Sequence, residues 1–521
     1  MRLWVLCLLL MVVCSAHPAR ILAILPMIAK SHHILFHSVL KSLVSKGHHV
    51  TSYTTIPLAK PLNNYTEIFL ENIVSAEKAI SADQLKVVLN LSPIAFSTML
   101  FKEGRRIIEK TFENNKIQEL IKSKEHFDLI FLETSFAQEP LLAFGHKFKA
   151  PVITLHPFGS FSLINTIIGN PLCLAYVPDF SLAHSNRMTF YERAINSYSI
   201  LKTLYLYHYE YLPSLDTYTR QMFLDPTLPP VVDMLRNTSL VVNNAHRTVH
   251  YAQPYTPNLL PVGGIHLSRQ RTPLPKEMKQ FLDEAKNGVI YFSLGSFVPD
   301  HLLPKEYFDN FINVFRRLPQ RVMWKTGSDL KHLPDNIMIG KWMPQQDILA
   351  HPNVVLFMTH GGILSQHEAI SAGVPVVCIP FFGDQPMNAR FYEEHQIGVR
   401  ILFGDLSEES IFHAVKMVLD DPKYRENMKR MQHIYNDQPV SPEDSLVFWV
   451  EYVLRHGGAQ HLRPASATMP WYQLYLLDVV SVLLLTTAAL ITSLYFVIKK
   501  IFSSLKRLIN SDGTLSSKKN S

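Results

Sequence analysis

Histidine, glycine, acid and amide side chains follow one another closely in residues 359–385, THGGILSQHEAISAGVPVVCIPFFGDQ. The apolar residues 354–358 before them predict a buried strand, and residues 363–372 predict a short helix that ends at Gly373. The apolar residues 374–381 predict a second buried strand. A helix that begins after glycines offers backbone N–H groups and a partial positive charge, which suit a phosphate. The segment therefore predicts half of a nucleotide site, at the carboxyl end of a parallel strand.

The two ends of the 521-residue chain predict how it meets a membrane. Residues 1–16 have a basic start, an apolar run and small residues at the end, which is typical of a cleaved signal peptide. Residues 474–498 contain an uncharged apolar stretch, long enough as a helix to cross a ~30 Å hydrocarbon core. The tail 499–521 is basic, so the positive-inside rule predicts a protein with a single span, a cytosolic tail and a lumenal body.

Short motifs agree with that placement. Lys518 and Lys519 stand fourth and third from the carboxyl terminus, where they resemble the dilysine retrieval signal of endoplasmic reticulum membrane proteins. Asn64, Asn90 and Asn237 each begin an N-glycosylation sequon, which is compatible with a lumenal body. The net charge of +7 owes much to the tail, and no basic stripe with interleaved aromatic residues predicts a nucleic-acid partner.

The cysteines and histidines do not follow the spacing of a metal site. After signal-peptide cleavage Cys173 and Cys378 remain, and Cys378 falls within a predicted buried strand, which favours a core residue. CxxC, HExxH and carboxylate-rich metal motifs are absent from the sequence. We therefore expect chemistry without a metal or a resident cofactor.

The rest of the chain predicts an α/β protein with two doubly wound domains that face a cleft. A proline-rich stretch at about 225–275 predicts the connection between two βα series. A helix begins after Ser441, where a serine N-cap, a proline and acids follow one another, and it runs to about 455. The strands predicted in the two series are 20–28, 49–54, 129–132 and 152–155, followed by 289–294, 321–325 and 337–340. After the first strand, residues 29–33 predict a loop and residues from about 34 to 46 predict an amphipathic helix.

Three ordered motifs connect the chain to a known family. The segments FSLGS, WMPQQDILAHPNV and FMTHGGILSQHEAISAGVPVVCIPFFGDQPMNA resemble the signature of the UDP-glycosyltransferases of glycosyltransferase family 1, in particular the membrane-bound animal branch, with insect-like details such as FKAPVI. The resemblance implies the GT-B fold, with two Rossmann-like domains and one C-terminal transmembrane helix. It places an acceptor-binding domain at 17–255 and a UDP-sugar-binding domain at 256–455, whose last helix (441–455) packs back toward the N-terminal domain.

The resemblance also implies the UDP-sugar contacts. Trp342 matches the indole that stacks on uracil in the family pattern, and Gln345 matches a glutamine near the ribose. The diphosphate contacts are matched by Ser296, His360, Gly361 and Gly362. Glu368 matches the glutamate that accepts from the ribose hydroxyls, and Asp384 and Gln385 match the pair that bonds the sugar. Without the motif order, Trp342 would be interpreted as a core aromatic residue and Glu368 as a solvated helix residue.

His32 matches the family's catalytic histidine, since it lies just past the first predicted strand. A neutral imidazole can take a hydroxyl proton at neutral pH, and a nearby acid orients the ring and stabilises the imidazolium. That acid is Glu133 here, where aspartate is usual, so the backbone must absorb an extra methylene. A second departure is Gln253, which stands where relatives often have an arginine near the diphosphate.

These features predict a UDP-glycosyltransferase that moves a hexose, with glucose as the expected sugar, from a UDP-sugar co-substrate to a hydroxyl of a small lipophilic acceptor, with inversion, in the detoxification or metabolism of lipophiles. Three alternatives stay open. A UDP-sugar epimerase of GT-B fold would share the architecture but not the membrane anchor or this signature. Glu133 and Gln253 would also suit a lumenal binding protein for hydrophobic molecules that has lost turnover, and the donor could be UDP-glucuronate. The sequence is compatible with a homo-oligomer and does not identify the acceptor. Its pocket is expected to involve the apolar segments 91–101 and 201–212.

Overall fold

The computed structural model describes residues 18–73, 82–135, 137–159, 162–268, 272–296 and 303–517. Its contacts divide the chain into two compact units, one that ends at Pro464 and one that begins at Ala465. The predicted signal peptide and the dilysine pair Lys518 and Lys519 lie outside the described residues.

The N-terminal part of the first unit is built on a seven-stranded parallel sheet with strand order β3-β2-β1-β4-β5-β6-β7. Side chains of β1 alternate between two cores, because Leu22 and Ile24 pack on one face of the sheet and Ile21 and Ala23 on the other. Burial on both faces explains the continuous apolar run in its sequence. The strands are β1 (Arg20–Leu25), β2 (His49–Thr54), β3 (Tyr65–Phe69), β4 (Leu129–Leu132), β5 (Val152–His156), β6 (Leu240–Asn243) and β7 (Leu259–Pro261).

Helices cover both faces of this sheet. They are α1 (Lys30–Val44), α2 (Ala82–Leu89), α3 (Pro93–Glu113), α4 (Asn115–Lys122), α5 (Ala143–Phe148), α6 (Ser162–Ile167), α7 (Phe190–Tyr205), α8 (Leu212–Phe223) and α9 (Val231–Arg236). A 3₁₀ turn, Glu139–Leu142, precedes α5, and a π-helical turn, Leu206–Tyr211, joins α7 to α8.

Helix α1 begins earlier than the sequence predicted. The expected loop at 29–33 is the first turn of the helix, because the N–H groups of His32 and His33 donate to the carbonyl of Ala29 at 3.1 and 3.3 Å. The two histidines favoured a loop in the sequence, but the first N–H groups of a helix have no intrahelical partner, so polar residues are tolerated there. His32 is therefore held by a helix.

The second sheet has six parallel strands in the order β10-β9-β8-β11-β12-β13. Its strands are β8 (Val289–Ser293), β9 (Arg321–Lys325), β10 (Ile337–Gly340), β11 (Val354–Thr359), β12 (Val376–Cys378) and β13 (Gly398–Arg400). Its helices are α10 (Lys276–Asp283), α11 (Lys305–Arg317), α12 (Gln345–Leu349), α13 (Ile363–Ala372), α14 (Gln385–Glu394), α15 (Glu408–Asp420), α16 (Pro422–Asn436) and α17 (Pro442–Arg455), with a 3₁₀ turn at Phe403–Asp405.

Strand β12 is shorter than the predicted strand at 374–381. Pro375 and Pro380 flank it, and a proline has no N–H to donate to a neighbouring strand. Ile379 is fully buried and still donates its N–H to the Thr359 carbonyl at 2.8 Å, so the pairing with β11 continues one residue beyond the assigned strand. Cys378, at the end of the strand, is a buried free cysteine, as predicted.

Helix α17 contacts the N-terminal sheet layer rather than the second sheet. Its side chains Leu446, Val450 and Val453 are fully buried in the core that contains Ile21 of β1. The Ser441 side chain accepts from the N–H of Asp444, which caps the helix at its predicted start. The chain therefore crosses back after completing the second sheet.

The second unit consists of short 3₁₀ turns, α18 (Trp471–Leu474) and the long helix α19 (Leu477–Ser517). Within α19, Leu477–Leu508 is long and apolar enough to cross a membrane, and it contains most of the predicted span 474–498. Trp471 and Tyr472 are exposed just before it, where an interfacial aromatic belt would lie.

Candidate active site and donor site

A buried histidine–carboxylate pair lies at the centre of the N-terminal sheet. Nδ1 of His32 is 2.9 Å from Oε1 and 3.1 Å from Oε2 of Glu133, and the two side chains are 8% and 1% exposed. A carboxylate only accepts hydrogen bonds, so Nδ1 carries the proton and the lone pair is on Nε2. This is the tautomer that a general base requires when its Nε2 receives the proton.

The strand order explains why two residues 101 positions apart meet. Strands β1 and β4 are neighbours in the sheet, and the chain continues in opposite directions from them, through β2 and through β5. Such a switch point opens a crevice at the carboxyl ends of the strands. Glu133 directly follows β4, and His32 lies in the first turn of α1, the helix that follows β1.

The neighbouring His33 has a different role. It is buried, its Nε2 donates to the Met27 carbonyl at 2.6 Å, and its Nδ1 contacts the Thr54 hydroxyl at 3.1 Å. Burial lowers the pKa of His33 to about 3, so it stays neutral. Both ring nitrogens are used to hold the loop after β1, which makes His33 a structural residue.

The second sheet has the same kind of switch point, between β8 and β11. His360 follows β11, and its ring lies between two glycines. A Cβ on Gly295 would be 2.6 Å from Cε1 of His360, and one on Gly362 would be 2.5 Å from Nε2. Burial, with Lys325 nearby, lowers the pKa of His360 to about 4, so at neutral pH the ring is an uncharged hydrogen-bond donor.

The remaining diphosphate candidates lie around this ring. Ser296 is exposed directly after Gly295. The N–H of Gly361 donates to Oγ1 of Thr359 at 3.3 Å, so this N–H has a protein partner here. Gly362 is the N-cap of α13, as the glycine-turn pattern predicted.

Lys325 is a cation at this site that the sequence analysis did not single out. It ends β9, donates from Nζ to the Gly295 carbonyl at 2.5 Å, and lies 5.3 Å from the ring centre of Trp342. Its charge lowers the pKa values of both His360 and Glu368. Lys325 therefore supplies positive charge on the donor side, where Gln253 replaces an arginine of the family pattern.

Trp342 is 54% exposed, as a residue that stacks on a planar base would be. The ammonium group of Lys30, in the first turn of α1, lies 3.4 Å from the indole ring centre. This cation–π contact connects helix α1 with the segment that follows β10. Lys30 lies two residues before His32 in the chain.

Glu368 and Gln345 are joined by a hydrogen bond between their side chains. The Glu368 carboxyl accepts from the amide of Gln345 and, at 3.1 Å, from that of Gln346, and His266 lies 3.7 Å away. Burial raises the pKa of Glu368 to about 7, against these hydrogen bonds and the charge of Lys325. The expectation of a solvated helix residue from pattern alone is wrong.

Asp384 and Gln385 lie at the start of α14. The Asp384 carboxyl accepts from Nδ2 of Asn388 at 2.8 Å and from the N–H of Ile363, and burial raises its pKa to about 6. Oε1 of Gln385 accepts from the N–H of Phe381 at 2.8 Å, which leaves its Nε2 donor for a ligand.

An apolar cavity opens beside the catalytic pair. Phe158 lines it and meets the His32 ring edge-on at 5.8 Å, and Thr134 lines it directly after Glu133. Leu100, Phe101 and Tyr207, from the two segments expected at the acceptor pocket, also line it.

The three sequon asparagines are exposed. Asn237 differs from Asn64 and Asn90 because its Oδ1 accepts from Nη1 of Arg463 at 2.5 Å. Across the described ranges, no group of three or more His, Cys, Asp or Glu residues is arranged to hold a metal ion.

The structure has two parallel sheets, with a histidine–carboxylate pair at one and a glycine-lined site at the N-terminus of a helix at the other. This arrangement corresponds to the GT-B fold of glycosyltransferases. Solved structures support the fold. A UDP-glucosyltransferase from Polygonum tinctorium matches 85% of this chain and 100% of its own, with a TM-score of 0.57 and 16% identity. CalG4, the calicheamicin glycosyltransferase, matches 84% and 99%, with a TM-score of 0.54 and 18% identity.

The chain belongs to the family described as UDP-glucoronosyl and UDP-glucosyl transferase, whose model matches residues 19–514. It is 36% identical over 483 residues to UDP-glycosyltransferase UGT5 of Dactylopius coccus, covering 92% of this chain and 91% of the relative. It is 33% identical over 399 residues to human UDP-glucuronosyltransferase 2B10, covering 76% and 73%. The protein is thus a UDP-glycosyltransferase, in a family that includes glucosyl and glucuronosyl enzymes.

The raised pKa of Glu368 leads to a prediction about donor binding. The carboxyl is neutral below about pH 7 and ionised above it, and the ionised form accepts more strongly from ribose hydroxyls. The dissociation constant of UDP-glucose should therefore fall, by up to roughly tenfold, as pH rises from about 6 to 8.

Calorimetric titration of UDP-glucose without acceptor measures this effect, because the diphosphate of UDP-glucose does not titrate in that range. In Glu368→Gln the dependence should largely disappear, and Glu139→Gln, at a buried carboxyl outside the donor site whose pKa is also raised to about 7, serves as the matched control that retains it. A dependence that persists unchanged in Glu368→Gln would assign the titration to another group.

Proposed function

We propose that this enzyme transfers glucose from UDP-glucose to a hydroxyl of a small lipophilic acceptor, with inversion at the anomeric carbon. The observation that carries the proposal is the buried His32–Glu133 pair, which borders the apolar cavity through Phe158 and Thr134. A role in the detoxification or metabolism of lipophiles follows from the apolar lining of that cavity.

In the proposed reaction Nε2 of His32 removes the acceptor hydroxyl proton as the oxygen attacks the anomeric carbon. The bond from that carbon to the UDP oxygen breaks on the opposite side, so a single displacement inverts the configuration. Glu133 stabilises the imidazolium, since it already accepts from Nδ1. The electron pair leaves with UDP, where His360, Lys325 and the N-terminus of α13 are placed to stabilise the developing charge.

The proposal predicts distinct effects for the two adjacent histidines. His32→Ala should lower kcat by roughly 10²–10⁴-fold with little change in UDP affinity, because a general base acts on the chemical step. Glu133→Gln should lose much of the same activity, since a neutral amide stabilises an imidazolium poorly.

His33→Ala is the matched control, and it should lower thermal stability more than kcat, because His33 holds Met27 and Thr54. Steady-state kinetics and UDP titration on each variant separate these effects. Activity that survives His32→Ala and disappears in His33→Ala would move the base by one residue. Binding of acceptor and UDP-sugar without any UDP release by the unmodified chain would instead support a binding protein that has lost turnover.

The donor preference follows from charge near the sugar position. A glucuronate carboxylate needs a cation once buried, and the Asp384 carboxyl there would repel it when ionised. We expect kcat/KM to favour UDP-glucose over UDP-glucuronate by at least about tenfold, which requires only ~1.4 kcal/mol. Parallel assays of both donors with one phenol test this, and a glucuronide as the main product would establish the alternative donor.

We further propose a single-pass protein of the endoplasmic reticulum membrane with its body in the lumen. Support comes from the apolar stretch Leu477–Leu508 and from the signal-like start and basic tail of the sequence. Protease added to sealed microsomes should remove only the tail after Ile498, and detergent should expose the body. Digestion of the body in sealed vesicles would contradict the lumenal placement.

A further inference from the structure

A carboxyl group is buried in the wall of the acceptor cavity. Glu139 is 2% exposed, and its Oε1 accepts from the Tyr207 hydroxyl at 2.6 Å. The Tyr211 hydroxyl lies beside the same carboxyl, and its hydrogen bond also opposes the rise of the Glu139 pKa. Oε2 of Glu139 and the Tyr211 hydroxyl oxygen are both buried without a hydrogen bond of full geometry among the described residues.

The surrounding elements hold this carboxyl in place. Glu139 begins the 3₁₀ turn Glu139–Leu142, and both tyrosines belong to the π-helical turn Leu206–Tyr211. Tyr207 and Tyr211 stack on each other at 5.7 Å, and Phe101 stacks on Tyr211 at 4.6 Å. A π turn is rare and occurs often at functional sites, and here it aligns two phenols on one acid.

The protein gives Glu139 no charged partner. Among the described residues no lysine, arginine or histidine forms a salt bridge with it, and Arg105, on the Tyr211 side, pairs with Glu109. Burial raises the pKa of Glu139 to about 7, although the Tyr207 hydrogen bond opposes the rise. An unsatisfied buried acceptor costs free energy, so a ligand that supplies a donor here would gain affinity.

The cavity links this carboxyl to the reaction centre. Phe158, which contacts the His32 ring, and Thr134, which follows Glu133, line the same cavity as Glu139. An acceptor that presents one hydroxyl to His32 therefore extends along a wall that contains Glu139. Because most of the lining is apolar, the Glu139 carboxyl would select for one further polar group on an otherwise lipophilic molecule.

We propose that Glu139 forms a binding subsite for a second hydrogen-bond-donating group of the acceptor, a hydroxyl or a protonated amine remote from the attacking oxygen. The preferred acceptors are then bifunctional lipophiles rather than simple phenols. This inference rests on the proposed transferase function for its kinetic consequence, and ligand affinity tests it separately.

The test uses matched pairs of probes that differ in one group. A biphenyl diol is compared with its monomethyl ether, and tyramine with para-ethylphenol. The full-length protein in detergent should bind the diol or the amine at least about tenfold more tightly than its partner compound, and kcat/KM should follow. Calorimetry gives affinity without turnover, so a failure of the transferase proposal leaves this result readable.

Variants of Glu139 distinguish the two ligand types. Glu139→Leu should remove the preference in both pairs while binding of the ether and of para-ethylphenol stays within about twofold. Glu139→Gln should retain the diol preference and lose the amine preference, because an amide accepts a hydrogen bond without carrying charge.

Tyr207→Phe is the control for a purely structural carboxyl, since it removes the bond to Oε1 and keeps the acid. It should leave the preference in place. Equal affinity within both pairs for the unmodified protein would overturn the proposal. So would an equal loss for all four probes in Glu139→Leu and in Tyr207→Phe, which would show that Glu139 serves only to hold the π turn.

Discussion

The proposed reaction centre depends on the hydrogen bond between Nδ1 of His32 and Glu133, which only the topology of the N-terminal sheet makes possible. Neither residue could find the other through local structure, because 101 residues separate them. Parallel pairing of β1 with β4 places the two strand ends side by side, and the chain leaves them in opposite directions. The longer glutamate side chain reaches the ring, so the departure from the aspartate of the family pattern preserves the contact.

The donor half uses a different electrostatic strategy from the catalytic pair. Its central histidine is kept neutral by burial, and two of its carboxyls, Glu368 and Asp384, have raised pKa values. In the proposed function, Lys325 and the helix end at Gly362 supply the positive charge that a diphosphate requires. Around the Lys325 cation, the other hydrogen-bonding groups are uncharged or only partly ionised at neutral pH. Such a site suits a UDP-sugar that must bind and then leave as UDP, which carries more negative charge.

Sequence periodicity predicted the regular elements that bury apolar side chains on both faces, such as β9 at 321–325 and α13 at 363–372. It failed at β12, where Pro375 and Pro380 limit the regular strand to three residues, and where a polar pair begins a helix, as at His32. Individual site residues were proposed from the family resemblance. Contacts made by the fold alone were not, because nothing local in the sequence joins Lys325 to His360 or Glu139 to Tyr207.

The buried carboxyls also have a consequence for folding. Glu139 and Glu368 ordinarily ionise near pH 4.5 and Asp384 near 3.8, but in the folded chain their pKa values rise to about 7, 7 and 6. The folded state therefore holds these protons more tightly than the unfolded chain does, and the free energy of unfolding decreases as pH rises through that interval. At neutral pH the free energy of unfolding is therefore lower than it would be if these carboxyls had their ordinary pKa values. A substrate that donates hydrogen bonds to these carboxyls binds only the folded state and so raises the free energy of unfolding. Substrate binding and resistance to unfolding are therefore thermodynamically linked in this enzyme.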